Sequence, residues 1–408
     1  MKVVHERCAG LDVHKDIVVA CARTIEGSKV KRALKRFSTT TTGLLELSDW
    51  LAAAGVTHVV MESTGVYWKP VWHVLDGHFE LLLANAGHVR NIPGRKSDQK
   101  DAEWLAELLA HGLVRSSFVP PQPIQELRDL TRTRKQLTRE VVQHVQRIQR
   151  VLEDANIKLA SVLTDILGAT GRRILVALIA GESDPERLAD QVRRPLKASR
   201  ATLVEALQGR VTDHHRFLLD QHLKMIQSLE QRIAAFTSRI EAVLEPFREA
   251  AERLTTIPGI SDRAAQILIA ETGIDMGQFP TAGHLLSWTG LCPRLEESAG
   301  KKHSTRLRKG APWLKPVLVQ CAWAAVRCKN TYLRSQFMRL RARQGGKKAI
   351  VAVAASILNS AYYILRDQVD YKELGADHFV RRNKDQVAER LARRLKQLGY
   401  EVQIRKAA

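Results

Sequence analysis

Residues 8–24 read CAGLDVHKDIVVACART, and this stretch decides the fold of the first part of the chain. Two apolar runs, CAGLDV and DIVVACART, are separated by a short polar break, which reads as two strands joined by a tight turn. A third strand-like run, VKRALKRFS, follows at 30–38. Working outward, Thr42–Ala54 has helical spacing, with Leu44, Leu45, Leu47, Trp50 and Leu51 at the apolar positions. THVVMES at 57–63 is a β-branched run that ends in a carboxylate, and a helix is expected over Tyr67–Leu75. ELLLANA at 80–86 reads as another buried strand. A basic loop, HVRNIPGRKS, leads into a helix from about Asp98 to His111. The order β-β-β-α-β-α-β-α is a layered α/β pattern.

Three strands that can pair as a meander, followed by strands separated by helices, also match the ribonuclease-H-like arrangement. The proline-rich PPQP at 120–123 then breaks the chain and marks a boundary. From Ile124 to about Leu159 the sequence is helical and charged, while 160–217 is helical but poorly periodic. A seam follows at Leu219, Leu223, Ile226, Leu229, Ile233, Phe236, Ile240 and Val243, close to a heptad repeat. Spacing alone leaves open whether it is one arm of an intramolecular hairpin or a coiled coil between subunits. A second compact region opens with TTIPGISDRAAQILIAETG near Leu254. Within it AIVAVAASILNSAYYIL, 349–365, has no charge, yet it holds Ser356, Asn359 and Ser360 and is shorter than the ~20 residues of a span. It reads as a buried helix. The expected division is 1–118, the α/β catalytic domain; 124–253, a helical coiled-coil linker and oligomerisation region; 254–366, a mostly helical domain; and 367–408, a basic tail.

Lys and Arg number 64 against 43 Asp and Glu, giving a net charge of +21 and a pI near 10.0. With 45% apolar residues the chain can build real cores, so the charge belongs to a folded protein. Such a balance implies a polyanionic partner, with nucleic acid ahead of an anionic membrane surface. Cys8, Cys21, Cys292, Cys321 and Cys328 are odd in number and lack a Cys-x-x-Cys pair. That argues against a disulfide framework and a thiolate zinc site, and for a reducing cytoplasm. The N-terminus has no long apolar core of a secretory signal.

Four acids fall where chemistry could gather. Asp12 ends the first strand and Glu62 the fourth, strands that this order makes neighbours. Asp98 and Asp101, three apart, share one helix face. Four carboxylates together repel unless a cation neutralises them, and hard oxygen ligands suit Mg²⁺, with Mn²⁺ as the alternative. Two such ions can activate a nucleophile and stabilise a leaving oxygen in phosphodiester chemistry. The surroundings are basic, with Arg90, Arg95, Lys96 and Lys100, as a phosphate-binding rim would be. An Asp or Glu after a strand is also a common cap or turn residue.

Two further segments suit nucleic acid. Ile257-Pro258-Gly259-Ile260 joins two helical patterns and could expose helix N–H groups to a phosphate, as helix-hairpin-helix motifs do. Beyond it, Arg294, Lys301, Lys302, Arg306, Arg308 and Lys309 crowd around Ser298. A serine hydroxyl can attack phosphorus where cations hold the phosphate. On composition Ser304 is an equal candidate.

Together these segments resemble the insertion-sequence transposases of the IS-one-ten family, in particular its IS-eleven-eleven branch. The resemblance rests on GLDVHKD, MESTGVYW and KSDQKDAEWLAEL at one end, and on TIPGI, LLSWTGLCPR and ESAGKKHSTRLRKGAPWL at the other. It implies a RuvC-like domain whose DEDD tetrad is Asp12, Glu62, Asp98 and Asp101. It also implies a serine nucleophile, Ser298, preceded by Glu297, which chooses Ser298 over Ser304. DNA would be cut through a covalent serine–phosphate intermediate, with the metal site and the serine supplied by different subunits of a dimer or tetramer. A structured bridge RNA would pair with donor and target DNA, so that the basic protein supplies backbone affinity and base pairing supplies sequence choice. Two other readings compete. A RuvC-like nuclease or junction resolvase would use only the acids and water. A decayed nucleic-acid scaffold is disfavoured because all four acids and the serine are intact.

Overall fold

The structure is a computed structural model that describes residues 3–26, 29–62, 65–84, 98–114, 116–193, 196–293, 296–298, 301–304, 306–307, 310–382 and 384–404. It falls into two compact units, Met1–Val119 and Pro120–Ala408.

In the first unit the strands are β1 (Arg7–Val13), β2 (Ile17–Glu26), β3 (Lys29–Ser38), β4 (His58–Glu62) and β5 (Glu80–Ala84). Among the described residues they pair in the order β3-β2-β1-β4-β5. The first three form an antiparallel meander, and β1, β4 and β5 run parallel. One face is covered by α1 (Thr41–Ala53) and α2 (Trp68–Leu75), where Leu11, Val13, Val18, Ala20, Val59 and Met61 meet Leu44, Leu47, Leu51, Val71 and Leu75. The α1 helix starts where the Thr40 side chain accepts the Gly43 amide, 3.3 Å away. The opposite face carries α3 (Asp98–Ala110), whose Leu105, Leu108 and Leu109 pack on Cys8, Val60 and Ala84. The edge strand β3 is exposed almost throughout and carries Lys29, Lys31, Arg32, Lys35 and Arg36, charges that oppose edge-to-edge pairing.

Gly10 sets the distance between α3 and the sheet. A Cβ built on it would lie 2.2 Å from the Ala102 carbonyl oxygen and 2.5 Å from the Ala106 nitrogen. Only glycine lets the helix backbone rest on the strand there.

The second unit is mostly helical. Its spine is an antiparallel pair, α4 (Gln122–Asp154) and a partner helix at Asp213–Leu244. His215 Nε2 lies 2.8 Å from Asp154 Oδ2, and His144 Nδ1 lies 3.2 Å from His222 Nδ1, which fixes the opposed directions. Between the two arms stand four short helices, α5 (Leu159–Val162), α6 (Ala169–Ile179), α7 (Pro185–Ala189) and α8 (Arg200–Ala206); the partner arm is α9. They close a core of Ile148, Leu152, Ile174, Leu178, Leu188, Leu203, Leu219 and Ile226. The poorly periodic 160–217 is thus a cap of short helices around one centre, each too brief to show a repeat.

The heptad seam is used within the chain. Leu219, Leu223, Ile226, Leu229 and Ile240 are buried on α9, which packs along α4. The remaining seam residues Ile233, Phe236 and Val243 are half-buried, so the seam packs within the chain chiefly through its first half and Ile240.

Beyond α9 come α10 (Arg248–Thr255), α11 (Asp262–Thr272), α12 (Ala282–Thr289), α13 (Leu314–Ala325), α14 (Tyr332–Gln344) and α15 (Gly346–Asp367). The α15 helix is long and apolar enough to cross a membrane, yet 56% of its most apolar window is buried inside the protein. Ile350, Val353, Ile357, Leu358 and Ala361 form the centre of this helical layer. The tail adds α16 (His378–Arg382) and α17 (Lys384–Gln397). The Phe379 ring stacks on Tyr332 with centroids 5.1 Å apart, which ties the tail to α14.

Gly10→Val should force α3 away from β1. The expected cost is about 1–3 kcal/mol or more, from overpacking of a closed contact. Urea unfolding of the variant reads the loss, and Gly10→Ala should fall between the variant and the wild type.

Candidate active site

The acids are placed by strand register. Leu11 pairs with Met61 across parallel β1 and β4. One residue further on, Asp12 and Glu62 stand side by side at the carboxyl ends of two neighbouring strands. Strand alternation puts both on the face that α3 covers, with Cys8 and Val60. Helix α3 runs antiparallel to β1, because Cys8 lies at the Ala106 carbonyl and Gly10 at the Ala102 carbonyl. Asp12 is two residues beyond Gly10, and Asp98 one helical turn before Ala102, steps of roughly 6 Å each. The first turn of α3 therefore lies at the strand ends that carry Asp12 and Glu62.

Asp12 and Glu62 are half-buried, as is Asp101. Asp12 Oδ2 lies 3.0 Å from His14 Nε2. The side chain of Asp98 lies outside the described residues, and among the described residues no three Asp, Glu, His or Cys side chains stand close enough to hold an ion. The structure thus brings the backbone positions of the tetrad to one end of the sheet. Asp12 and Glu62, on the face that α3 covers, are hard carboxylate donors of the kind that suits a divalent cation such as Mg²⁺.

Two residues that the motifs did not single out hold this arrangement. Gly10 permits the close approach of α3; a lone glycine inside a buried strand was its signal. Glu107 of α3 accepts from Arg23 Nε at 3.0 Å and Arg32 Nη2 at 2.8 Å, and lies 3.1 Å from His111 Nε2. Arg23 is buried beneath the helix, so the pair clamps α3 to β2 and β3.

In the second unit Ser298 ends a short strand, β6 (Glu296–Ser298), paired antiparallel with β7 (Lys301–Ser304). This ribbon is an addition to the helical domain that was expected. Ser298 pairs with Lys301 and Glu297 with Lys302, while Ser304 pairs with Glu296 away from the tip. The register therefore separates the two serines: Ser298 faces a lysine position beside the turn, Ser304 a glutamate position at the base. The side chains of Ser298, Lys301 and Lys302 lie outside the described residues, as do Arg95, Lys96, Arg294, Arg308 and Lys309 altogether; Arg306 is exposed.

The Pro258-Gly259 turn is formed between α10 and α11, but its geometry serves packing. Gly259 has φ +90°, and a Cβ on it would lie 2.3 Å from the Cys321 carbonyl oxygen of α13. At the start of α11, Ser261 Oγ already accepts the Ala264 amide, and Asp262 places a negative charge in the first turn. Both weaken the anion site expected of a helix-hairpin-helix turn.

Residues 9–157 match a family model described as Transposase, and residues 251–338 match one described as Transposase IS116/IS110/IS902 family. The chain belongs to the IS110 family of insertion-sequence transposases. The first segment spans all four acids and the second spans Gly259 and Ser298. Among similar proteins is the "Insertion element IS110 uncharacterized 43.6 kDa protein" of Streptomyces coelicolor, 27% identical over 397 residues, covering 89% of this chain and 95% of that one. The "Transposase for insertion sequence element IS1328" of Yersinia enterocolitica is 25% identical over 317 residues, 77% of this chain and 82% of that protein. The "Putative transposase y4rJ" of Sinorhizobium fredii is 26% identical over 275 residues, 64% of each.

Burial raises the Glu107 pKa, but hydrogen bonds from Arg23 and Arg32 and the charge of Arg23 outweigh it and hold the carboxyl below the usual glutamate range. A depressed pKa contributes stability that is present above the unfolded-state value and lost as pH falls through the folded one. Glu107→Gln should cost about 2–3 kcal/mol at neutral pH, because it leaves Arg23 buried without its carboxylate. Chemical denaturation at several pH values should show the gap to wild type closing below about pH 4.

Proposed function

We propose that this IS110-family transposase cuts and rejoins DNA with a serine nucleophile and a divalent cation held by the acid tetrad. The observation that carries the reading is the β1–β4 register, which sets Asp12 beside Glu62 at the strand ends where α3 begins. Asp12, Glu62, Asp98 and Asp101 would hold Mg²⁺, with Mn²⁺ as the alternative. When bound, the ion supplies charge neutralisation at the scissile phosphate.

Ser298 is the proposed nucleophile, and the pairing of its strand with Lys301 supports the choice, since a lysine position across the ribbon can meet a phosphate oxygen. The serine hydroxyl gives up its proton as its oxygen bonds to phosphorus, the ester bond to the leaving deoxyribose oxygen breaks, and that oxygen takes up a proton, so the step is neutral overall. The product is a phosphoserine ester of roughly unchanged bond energy. A DNA hydroxyl can reverse the step on a new strand with no outside energy source, which a water-attack nuclease cannot do. The excess of 64 Lys and Arg over 43 acids suits a polynucleotide. The family likeness adds a bridge RNA, a homo-oligomer and a cytoplasmic setting to the proposal.

Protein incubated with labelled substrate DNA and Mg²⁺, then run on a denaturing gel, tests this. A shifted band that maps to a Ser298 peptide is expected. It should vanish with Ser298→Ala and persist with Ser304→Ala. Asp12→Asn and Asp101→Asn should reduce recombination by a factor of ~100 or more, with folding intact. Robust cleavage without any adduct would promote the water-attack nuclease.

A further inference from the structure

Helix α4 carries Arg128, Arg132, Lys135 and Arg139 at intervals of four, three and four, one face of a helix. One indole faces that row. Trp313 has Arg132 at 5.5 Å, Lys135 at 5.8 Å and Arg139 at 5.3 Å from its ring centroid. Cations on one helix face repel each other, so the row needs anions. Glu271 of α11 faces the row, and Arg132 grips both its oxygens at 2.8 and 2.7 Å while Arg128 Nε lies 3.9 Å away; its charge also reaches Lys135, and Asp129 acts on Arg128. Among the described residues no carboxylate pairs with Lys135 or Arg139. Burial, and after it the neighbouring Arg139, lower the Lys135 pKa, and the charge of Glu271 opposes them only in part.

The row is tied to the serine ribbon by covalent neighbours. Trp313 sits on the link from β7 to α13, and Lys135 Nζ donates to its carbonyl at 3.4 Å. The same link is pinned to the end of α12. A Cβ on Gly310 would lie 2.2 Å from the Thr289 carbonyl oxygen, and Lys315 Nζ donates to the Gly290 carbonyl at 2.9 Å. The ribbon leaves from this point through a Pro293–Leu307 bridge. A polyanion lying on Lys135 and Arg139 is therefore held at the ribbon's root.

We infer that Lys135, Arg139 and Trp313 form a DNA phosphate-backbone site that positions the strand leading to the serine ribbon. Two cations that no described carboxylate bonds can contact successive phosphates, and the indole they face gives an apolar wall for a sugar or base. Such a site reads no sequence. The choice of DNA over RNA rests on the function proposed above, because the ribbon carries the nucleophile proposed to attack DNA.

The test uses full-length protein and a fluorescein-labelled duplex of arbitrary sequence, with anisotropy followed over about 50–300 mM KCl. An RNA hairpin of matching length is the second arm. All proteins carry Ser298→Ala, so binding is read without chemistry and a failed adduct experiment leaves this result standing. Arg139→Gln, on an exposed residue, should flatten the log–log salt slope on duplex DNA by about 0.9, and the pair Lys135→Gln/Arg139→Gln by about 1.8. A merely structural role would leave the slope unmoved. An unchanged DNA slope, or a change confined to the RNA arm, would overturn the inference.

Discussion

The contact on which the first unit depends is backbone against backbone, at Gly10. Helix α3 touches β1 so closely that its Ala102 carbonyl occupies the space of a side chain. That contact fixes both the height of the helix and its register along the strand. Because a strand advances by two residues while a helix advances by one turn, contact at Gly10 and Ala102 decides that Asp12 and Asp98 come to the same level. A larger residue at position 10 would not merely loosen a core; it would remove the contact that brings the first turn of α3 to the strand ends of Asp12 and Glu62. Glu107 completes the constraint from the far end of the helix, where two arginines hold it to the meander.

Helix α4 plays the corresponding part in the second unit. Its last turns belong to the core closed by the short helices, and its first turns are buried against α11, where Arg128 donates to the Ala270 and Glu271 carbonyls at 2.9 and 2.7 Å. Those bonds satisfy carbonyls that the end of α11 leaves open. Further along, Arg134 is buried and donates to Gln266 at 2.9 Å. One 33-residue helix thus joins the helical pair to the layer that carries the ribbon.

Much of the first unit was legible because its signals are local and strong. The runs at 8–13, 16–24, 57–63 and 80–86 are short, apolar and bounded by polar turns, and each became a strand within a few residues. The four acids were legible as positions at strand and helix ends, but not their alignment, which depends on Gly10 and on which face α3 covers. In the second unit the seam on α9 was visible while its partner was not. Helix α4 hides its half of the interface among charges, with Val141, Val145, Ile148 and Leu152 scattered through a polar sequence. The ribbon at 296–304 gave no strand signal, since EES and KKHS hold neither β-branched nor aromatic residues. The cations of α4 read only as part of a charged helix, because nothing in their spacing reveals a tryptophan nearly two hundred residues away.

The ribbon itself raises a question of support. A two-stranded antiparallel ribbon is marginal alone in water, and seven polar residues add no core. Its support among the described residues lies at the root: the Pro293–Leu307 bridge, Gly310 packed on Thr289, and Lys315 bonded to Gly290. Gly290 adopts a left-handed φ of +75° at the end of α12, so the root begins from a helix terminus that only glycine accommodates readily. The physical division of labour is then between a root that is fixed by backbone packing and a tip that carries the serine and two lysines. On the serine mechanism proposed above, a substitution at the root would act by moving Ser298, and one at the tip by removing it or the neighbouring charge. The two kinds of defect would then separate by chemistry: a displaced serine would still form the proposed adduct slowly, whereas a deleted one would form none.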